Sequence, residues 1–268
     1  MRIYKHWVSP EFRFDYAGQT YSGRCFGGSN VSEGDAMGDA KSRWEAVADR
    51  IRNGRSGRGE NYVADIREEV LREIDPRNIV TRNRYGAEVL NSADHMFLDI
   101  DLPPRSWRDL FGSPRDVGER QARIVAHVKK AAATAAFSSA GIRIYHTPRG
   151  VRLLVTGVEH SPRSDDTRRI MRALNVDRLY MTLCRRQECY RARLTPKPSG
   201  IKLKTPRCVF PRDEAADRAV QAWVAAYDAA RKGFAACRLV ETLGAFTRTA
   251  VAEFHDQQCR AAEALPLA

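Results

Sequence analysis

No run of this chain is apolar for long enough to cross a membrane, and its first residues, Met-Arg-Ile-Tyr-Lys-His-Trp, lack the apolar stretch of a signal peptide. Both absences lead to the expectation of a soluble, cytoplasmic protein with no membrane partner. The six cysteines (25, 184, 189, 208, 237 and 259) include no Cys-x-x-Cys pair. That argues against a disulfide framework and for reduced thiols. Cys184, Cys189 and Cys208 match no recognised zinc-finger spacing, so zinc is not expected. Gly27 and Gly28 precede a helical pattern, but no Lys-Ser/Thr follows, which excludes a phosphate loop and leaves a turn. There is no internal repeat. Acidic residues are scarce in one place: residues 143–212 hold 17 basic and 5 acidic side chains, a surplus of 12 that equals the net charge of the whole chain, +12. A local cationic block of this size favours a phosphate-rich partner, nucleic acid or nucleotide.

Among what is present, Met96-Phe97-Leu98-Asp99-Ile100-Asp101-Leu102-Pro103-Pro104 organises the chain. It reads as a buried strand stopped by two prolines. Side chains alternate, so Met96, Leu98, Ile100 and Leu102 share one face, and Phe97, Asp99 and Asp101 the other. Two carboxylates about 7 Å apart along one face suit a divalent cation, Mg²⁺ or Mn²⁺, of the kind that phosphoryl and nucleotidyl transfer require. The bland alternative is a strand end whose carboxylates face water.

The rest of the pattern is α+β. Residues 1–52 form a small β-rich unit with strands at 2–8, 11–16 and 21–26 and one helix, capped by Ser32, with Ala40, Trp44, Val47 and Ile51 on one face. Residues 53–60 read as a flexible linker. A domain over 61–212 follows. Val63, Ile66, Val70 and Ile74 suggest a helix over 62–73, ended by Asp75-Pro76. Arg82, Arg84 and Tyr85 lie before a strand at 87–90, where they can meet a phosphate or base. A long helix over 117–139 closes at Gly141. Strands at 142–145 and 151–156 make a hairpin around Thr147-Pro148-Arg149-Gly150. Helices start at Ser164 and Asp177, and a strand covers 190–195. Residues 213–268 read as a helical segment of two or three Ala-rich helices, with Trp223 and Tyr227 one turn apart, suited to packing or oligomerisation.

Three of these stretches, in order, resemble the archaeo-eukaryotic primase superfamily, which includes primase small subunits and primase-polymerases. Leu98-Asp99-Ile100-Asp101 is similar to the family's Asp-x-Asp strand. Thr147-Pro148-Arg149-Gly150-Val151-Arg152 is similar to its hairpin motif, with Arg152 where the family has a phosphate-contacting histidine. Arg193-Leu194-Thr195 is similar to its third motif, with Thr195 in place of a carboxylate. Lys204-Thr205-Pro206 looks like a Lys-x-Pro stretch that follows in the small subunits. The resemblance covers residues 87–211. It implies a mixed or antiparallel sheet, flanked by helices, with the Asp strand central and beside the 142–156 hairpin. It also implies metal-dependent nucleotidyl transfer, with Asp99 and Asp101 as catalytic metal ligands and Arg149, Arg152, His146, Arg193, Thr195, Lys197, Lys202 and Lys204 around a nucleoside triphosphate and nucleic acid. Arg152 can hold a phosphate bidentately, whereas Thr195 cannot supply a carboxylate charge. By parity with Ile142 and Ile144, His146 suits the core or a strand end as well as catalysis. Two alternatives stand beside the enzyme: a non-catalytic nucleic-acid binder on the same fold, and a metal-dependent nuclease or phosphohydrolase. A haloacid-dehalogenase-type phosphatase wants Thr or Val where Pro103 stands.

Overall fold

The computed structural model describes residues 1–54, 65–102, 117–134, 137, 139–158, 161–206 and 209–268. Residues 55–60 of the expected linker, Pro103, Pro104 and Cys208 lie outside them. The described chain is α+β, with six helices and twelve strands in four antiparallel sheets. No helix among the described residues is long and apolar enough to cross a membrane.

The N-terminal part contains strands β1 (His6–Val8), β2 (Glu11–Tyr16), β3 (Gln19–Arg24) and β4 (Gly27–Ser29), followed by helix α1 (Glu33–Arg52). The β2–β3 hairpin carries Phe12 and Phe14 onto Trp44 of α1, with ring centroids 5.7 Å apart in each pair. Ser32 caps α1 by accepting from Asp35 N. Gly27 and Gly28 are strand residues paired with Val8 and Trp7, not the turn read from sequence. A Cβ on Gly27 would lie 2.0 Å from the Ala36 carbonyl oxygen, so glycine is what lets β4 pack directly on the helix.

Next come β5 (Glu69–Asp75), β6 (Asn78–Arg82), β7 (Glu88–Ser92) and β8 (Met96–Asp101), all strands. The helix expected over 62–73 is therefore corrected where it is described. β5 pairs with β6 through two register shifts, at Val70/Arg72 and Glu73/Asp75. Ile66, Val70 and Ile74 are four residues apart, a spacing that fits one face of a helix and one face of a strand alike.

Helix α2 (Val117–Ala132) precedes the hairpin β9 (Gly141–Thr147) and β10 (Gly150–Thr156). Gly141 opens a strand instead of capping α2. Helices α3 (Asp165–Ala173) and α4 (Arg178–Gln187) start at Ser164 and Asp177, whose side chains accept from Thr167 N and Tyr180 N. β11 (Tyr190–Arg193) follows, then α5 (Glu214–Ala230), β12 (Arg238–Leu243) and α6 (Ala250–Cys259). β12 corrects the all-helical reading of residues 213–268. Its apolar residues Leu239, Val240 and Leu243 do not alternate strictly, and its partner β9 lies about a hundred residues away.

The two main sheets run β12-β9-β10-β8 and β11-β7-β6-β5. β8 pairs directly with the hairpin strand β10, but it is the outer strand of its sheet and not a central one. Its free edge faces β11, where the Tyr180 hydroxyl donates to Phe97 O at 2.6 Å and accepts from Arg191 N at 3.1 Å. That buried hydroxyl takes the place of ladder hydrogen bonds across the gap. The core runs through β7 to β10 and the helices around them, from Leu90 and Phe97 to Ile144, Leu153, Met171 and Ala252. The apolar faces of α5 and α6, with Val220, Tyr227, Val251 and Ala252, are buried within this chain.

Candidate functional site

β-Pairing decides which candidates meet. Arg152 stands directly opposite Asp99 on β8 and Tyr145 on β9, so these three share a face. His146 stands opposite Val151, on the other face, and is corrected from the candidate site for that reason. Burial, then the Arg238 charge beside it in register, pushes the His146 pKa down.

Arg152 closes on Asp99 as a fork: Nε donates to Oδ1 at 2.7 Å and Nη2 to Oδ2 at 3.1 Å. Its Nη1 donates to Arg193 O at 2.7 Å and lies 3.5 Å from His255 Nε2. The Arg152 side chain is 3% exposed and that of Asp99 38%. Burial opposes the Arg152 charge, but Asp99 outweighs it and raises the pKa. The carboxylate expected to hold metal thus already holds a cation that cannot leave.

Arg193, one strand over, makes no ion pair among the described residues. Its Nε is buried without a hydrogen-bond partner. Burial and then the Arg152 charge lower its pKa, while Asp99 works the other way. Both guanidiniums feel the Asp99 charge, but only Arg152 bonds to it. Tyr180 bridges Phe97 to Arg191, and Arg152 bridges Asp99 to Arg193, so β8 and β11 run in the same direction side by side. Asp101 is exposed at the strand end. Partial desolvation, then the charges of Asp99 and Asp177, push its pKa up, against Arg149 and Arg193. Arg149 lies exposed in the hairpin turn, which Gln121 of α2 holds by donating to Thr147 O and Gly150 O.

Thr195 is fully buried and structural. Its Oγ1 accepts from Glu88 N at 2.9 Å and from the Tyr227 hydroxyl at 2.7 Å. These bonds tie the end of β11 to the start of β7, beside the β6–β7 turn. Asn83 Oδ1 accepts from Tyr85 N and Ala87 N, and Arg82 is buried with Nη1 on Gly86 O, a structural role and not a phosphate contact. Gly86 has φ +88°, and a Cβ there would strike the Trp223 ring at 2.2 Å. Trp223 stacks on Tyr227 at 4.9 Å and donates Nε1 to Lys204 O at 2.9 Å. This frame presents Tyr85, 45% exposed, between two cations. The Arg84 guanidinium lies 4.7 Å from its ring centroid and donates to its hydroxyl, and Lys197 Nζ lies 5.8 Å from the centroid. Lys202 and Lys204 are exposed beyond Lys197 and make no ion pair among the described residues. Lys197 and Lys204 thus join the Tyr85 turn, not the Asp99 pair.

Among the described residues, the one group of three potential metal ligands is Cys237, His255 and Cys259, with ligand atoms within 4.8 Å of one another. Among the described residues, Asp99 and Asp101 form no such group with a third ligand. The thiols considered from sequence do not meet it: Cys184 and Cys189 are buried elsewhere. The sequence signal passed over is His255-x-x-x-Cys259, four residues apart on one face of α6. No protein-family model, no curated protein and no solved structure matches this chain.

Proposed function

We propose that this protein binds single-stranded nucleic acid and carries out no metal-dependent nucleotidyl transfer. The observation that carries the proposal is the bidentate Arg152–Asp99 pair. A buried guanidinium on both carboxylate oxygens offsets the Asp99 charge that would hold Mg²⁺ or Mn²⁺. With Thr195 committed to Glu88 N and Tyr227, the third ligand position is structural as well. Arg193 makes no ion pair among the described residues and is a cation suited to a phosphate.

Binding is supported by the Tyr85 turn. Exposed aromatic faces stack on bases of any sequence, while neighbouring cations meet the backbone, and duplex DNA hides those base faces. Arg149, Lys202 and Lys204 extend the exposed cationic surface. The resemblance to primases agrees with a nucleic-acid partner, and it is carried by three short motifs. One observation favours the enzyme reading: Asp101 and Asp177 are close enough for the charge of one to raise the pKa of the other, as carboxylates do without a shared cation.

The test is anisotropy of labelled single-stranded and duplex oligonucleotides across a salt series, with primer extension and nuclease assays in Mg²⁺ and Mn²⁺. Salt-sensitive single-strand binding without turnover is expected. Extension or cleavage that disappears in Asp101→Asn overturns the non-catalytic reading. No binding at about 50 mM salt, where phosphate contacts are strong, overturns the nucleic-acid reading.

A further inference from the structure

We infer that Cys237, His255 and Cys259 bind a zinc ion that fastens α6 to the start of β12, in the sheet that also carries Asp99. The site is independent of nucleic-acid binding. α6 presents His255 and Cys259 from consecutive turns of one face, and Cys237 enters from the residue before β12. All three side chains are fully buried. Their ligand atoms lie within 4.8 Å of one another, a spread that accommodates zinc bonded at about 2.3 Å to sulfur and about 2.0–2.1 Å to imidazole.

The surroundings fit a metal-ligating histidine. His255 Nδ1 lies 2.9 Å from Asp256 Oδ1, which turns Nε2 toward the thiols. Asp256 is itself held by the Arg143 guanidinium and by the Tyr145 hydroxyl at 2.7 Å. A carboxylate behind the imidazole fixes the ring and its tautomer, as in many zinc sites. Arg143 is paired with Asp256 and Arg152 with Asp99, so the two cysteines can match a dication, while Arg193 nearby makes no ion pair among the described residues. Binding expels both thiol protons to solvent and forms a neutral bis-thiolate zinc unit, which avoids burying net charge. Neutrality matters because Arg152 Nη1 lies 3.5 Å from His255 Nε2. The Arg193 carbonyl oxygen, which accepts from Arg152 Nη1, also lies 3.6 Å from Cys259 Sγ.

The same atoms resemble a Cys–His–Asp nucleophile, but a thiol with no exposed surface meets no substrate. They also permit a Cys237–Cys259 disulfide, which the experiment separates from metal. Protein purified under reducing conditions, without chelator or added metal, is analysed for metal by mass spectrometry. The zinc is then exchanged for Co²⁺. About one zinc per chain is expected, with thiolate-to-cobalt charge-transfer absorption and tetrahedral ligand-field bands. Cys237→Ser and His255→Ala lose both signals. Cys184→Ser and Cys189→Ser keep them. Because core variants can fail to fold, the cobalt spectrum of the wild-type protein decides alone. Folded, reduced wild-type protein that holds no stoichiometric zinc and shows no charge-transfer band with Co²⁺ overturns the site. So does a Cys237–Cys259 disulfide that forms in preference to metal uptake.

Discussion

Removing Asp99 tests the central claim, that Arg152 occupies the place a metal would take. In Asp99→Ala the guanidinium keeps Arg193 O but loses both carboxylate bonds, and it stays buried beside Arg193. Removing one partner of a buried ion pair costs about 3–5 kcal/mol, mostly because the remaining charge is stranded. Water already reaches Asp99, whose side chain is 38% exposed, and can re-enter to solvate part of the guanidinium. The loss therefore falls at the low end, about 3 kcal/mol. At about 2–4 °C per kcal/mol for a chain of this size, the melting temperature drops by about 6–12 °C. Arg152→Met leaves only an exposed carboxylate and fills part of the volume, so it costs less than Asp99→Ala. Urea denaturation and thermal melts, each with and without Mn²⁺, measure this. If Asp99 is blocked by Arg152, wild type gains no stability from Mn²⁺, and Arg152→Met is the variant that begins to. A near-neutral Asp99→Ala, or a Mn²⁺-dependent increment in wild type that Asp99→Ala abolishes, refutes the reasoning.

Tyr85→Ala should weaken single-strand binding by about 1–3 kcal/mol, roughly 5- to 150-fold, while leaving the salt slope unchanged, because a stacking face and not a phosphate contact is lost; anisotropy at several salt concentrations reads both quantities. Thr195→Val removes the acceptor of Glu88 N and the Tyr227 hydroxyl in a fully buried place and should cost about 1–3 kcal/mol in urea denaturation. Asp101 has a folded pKa above its ordinary 3.8, so the folded state binds more protons between the two values. Its contribution is fully present below about pH 3.8 and is lost as pH rises through the raised value. Asp101→Asn should therefore flatten stability across that window and be no less stable than wild type at pH 7; a steeper profile in the variant would contradict the assignment. Gly86→Ala meets both a positive φ and the Trp223 ring, and should loosen the Tyr85 turn, lowering binding more than it lowers the melting temperature.

Local physics was readable in the order of residues. Apolar alternation marked β8 and the β9–β10 hairpin, and Ser32, Ser164 and Asp177 marked helix starts, because a cap or a half-buried strand depends on neighbours two to four residues away. The α+β class and the grouping of Asp99 with Asp101 on one face followed from the same short-range rules. What required the folded chain lies at long range. A spacing of four, shared by helix and strand, made β5 look helical, and β12 took its identity from β9, far away in sequence. Arg152 was legible as a phosphate ligand. Only the antiparallel register sets it opposite Asp99, where charge attraction in a buried place turns a candidate metal site into an ion pair. The same register sends His146 to the opposite face. Cys237 and the His255–Cys259 turn meet because β12 pairs with β9 and α6 brings His255 and Cys259 to the residue before it. The sequence by itself determined which side chains each strand and helix could present. The tertiary structure decided which of them share a few ångströms of low-dielectric space, and the sign of their interaction is settled there.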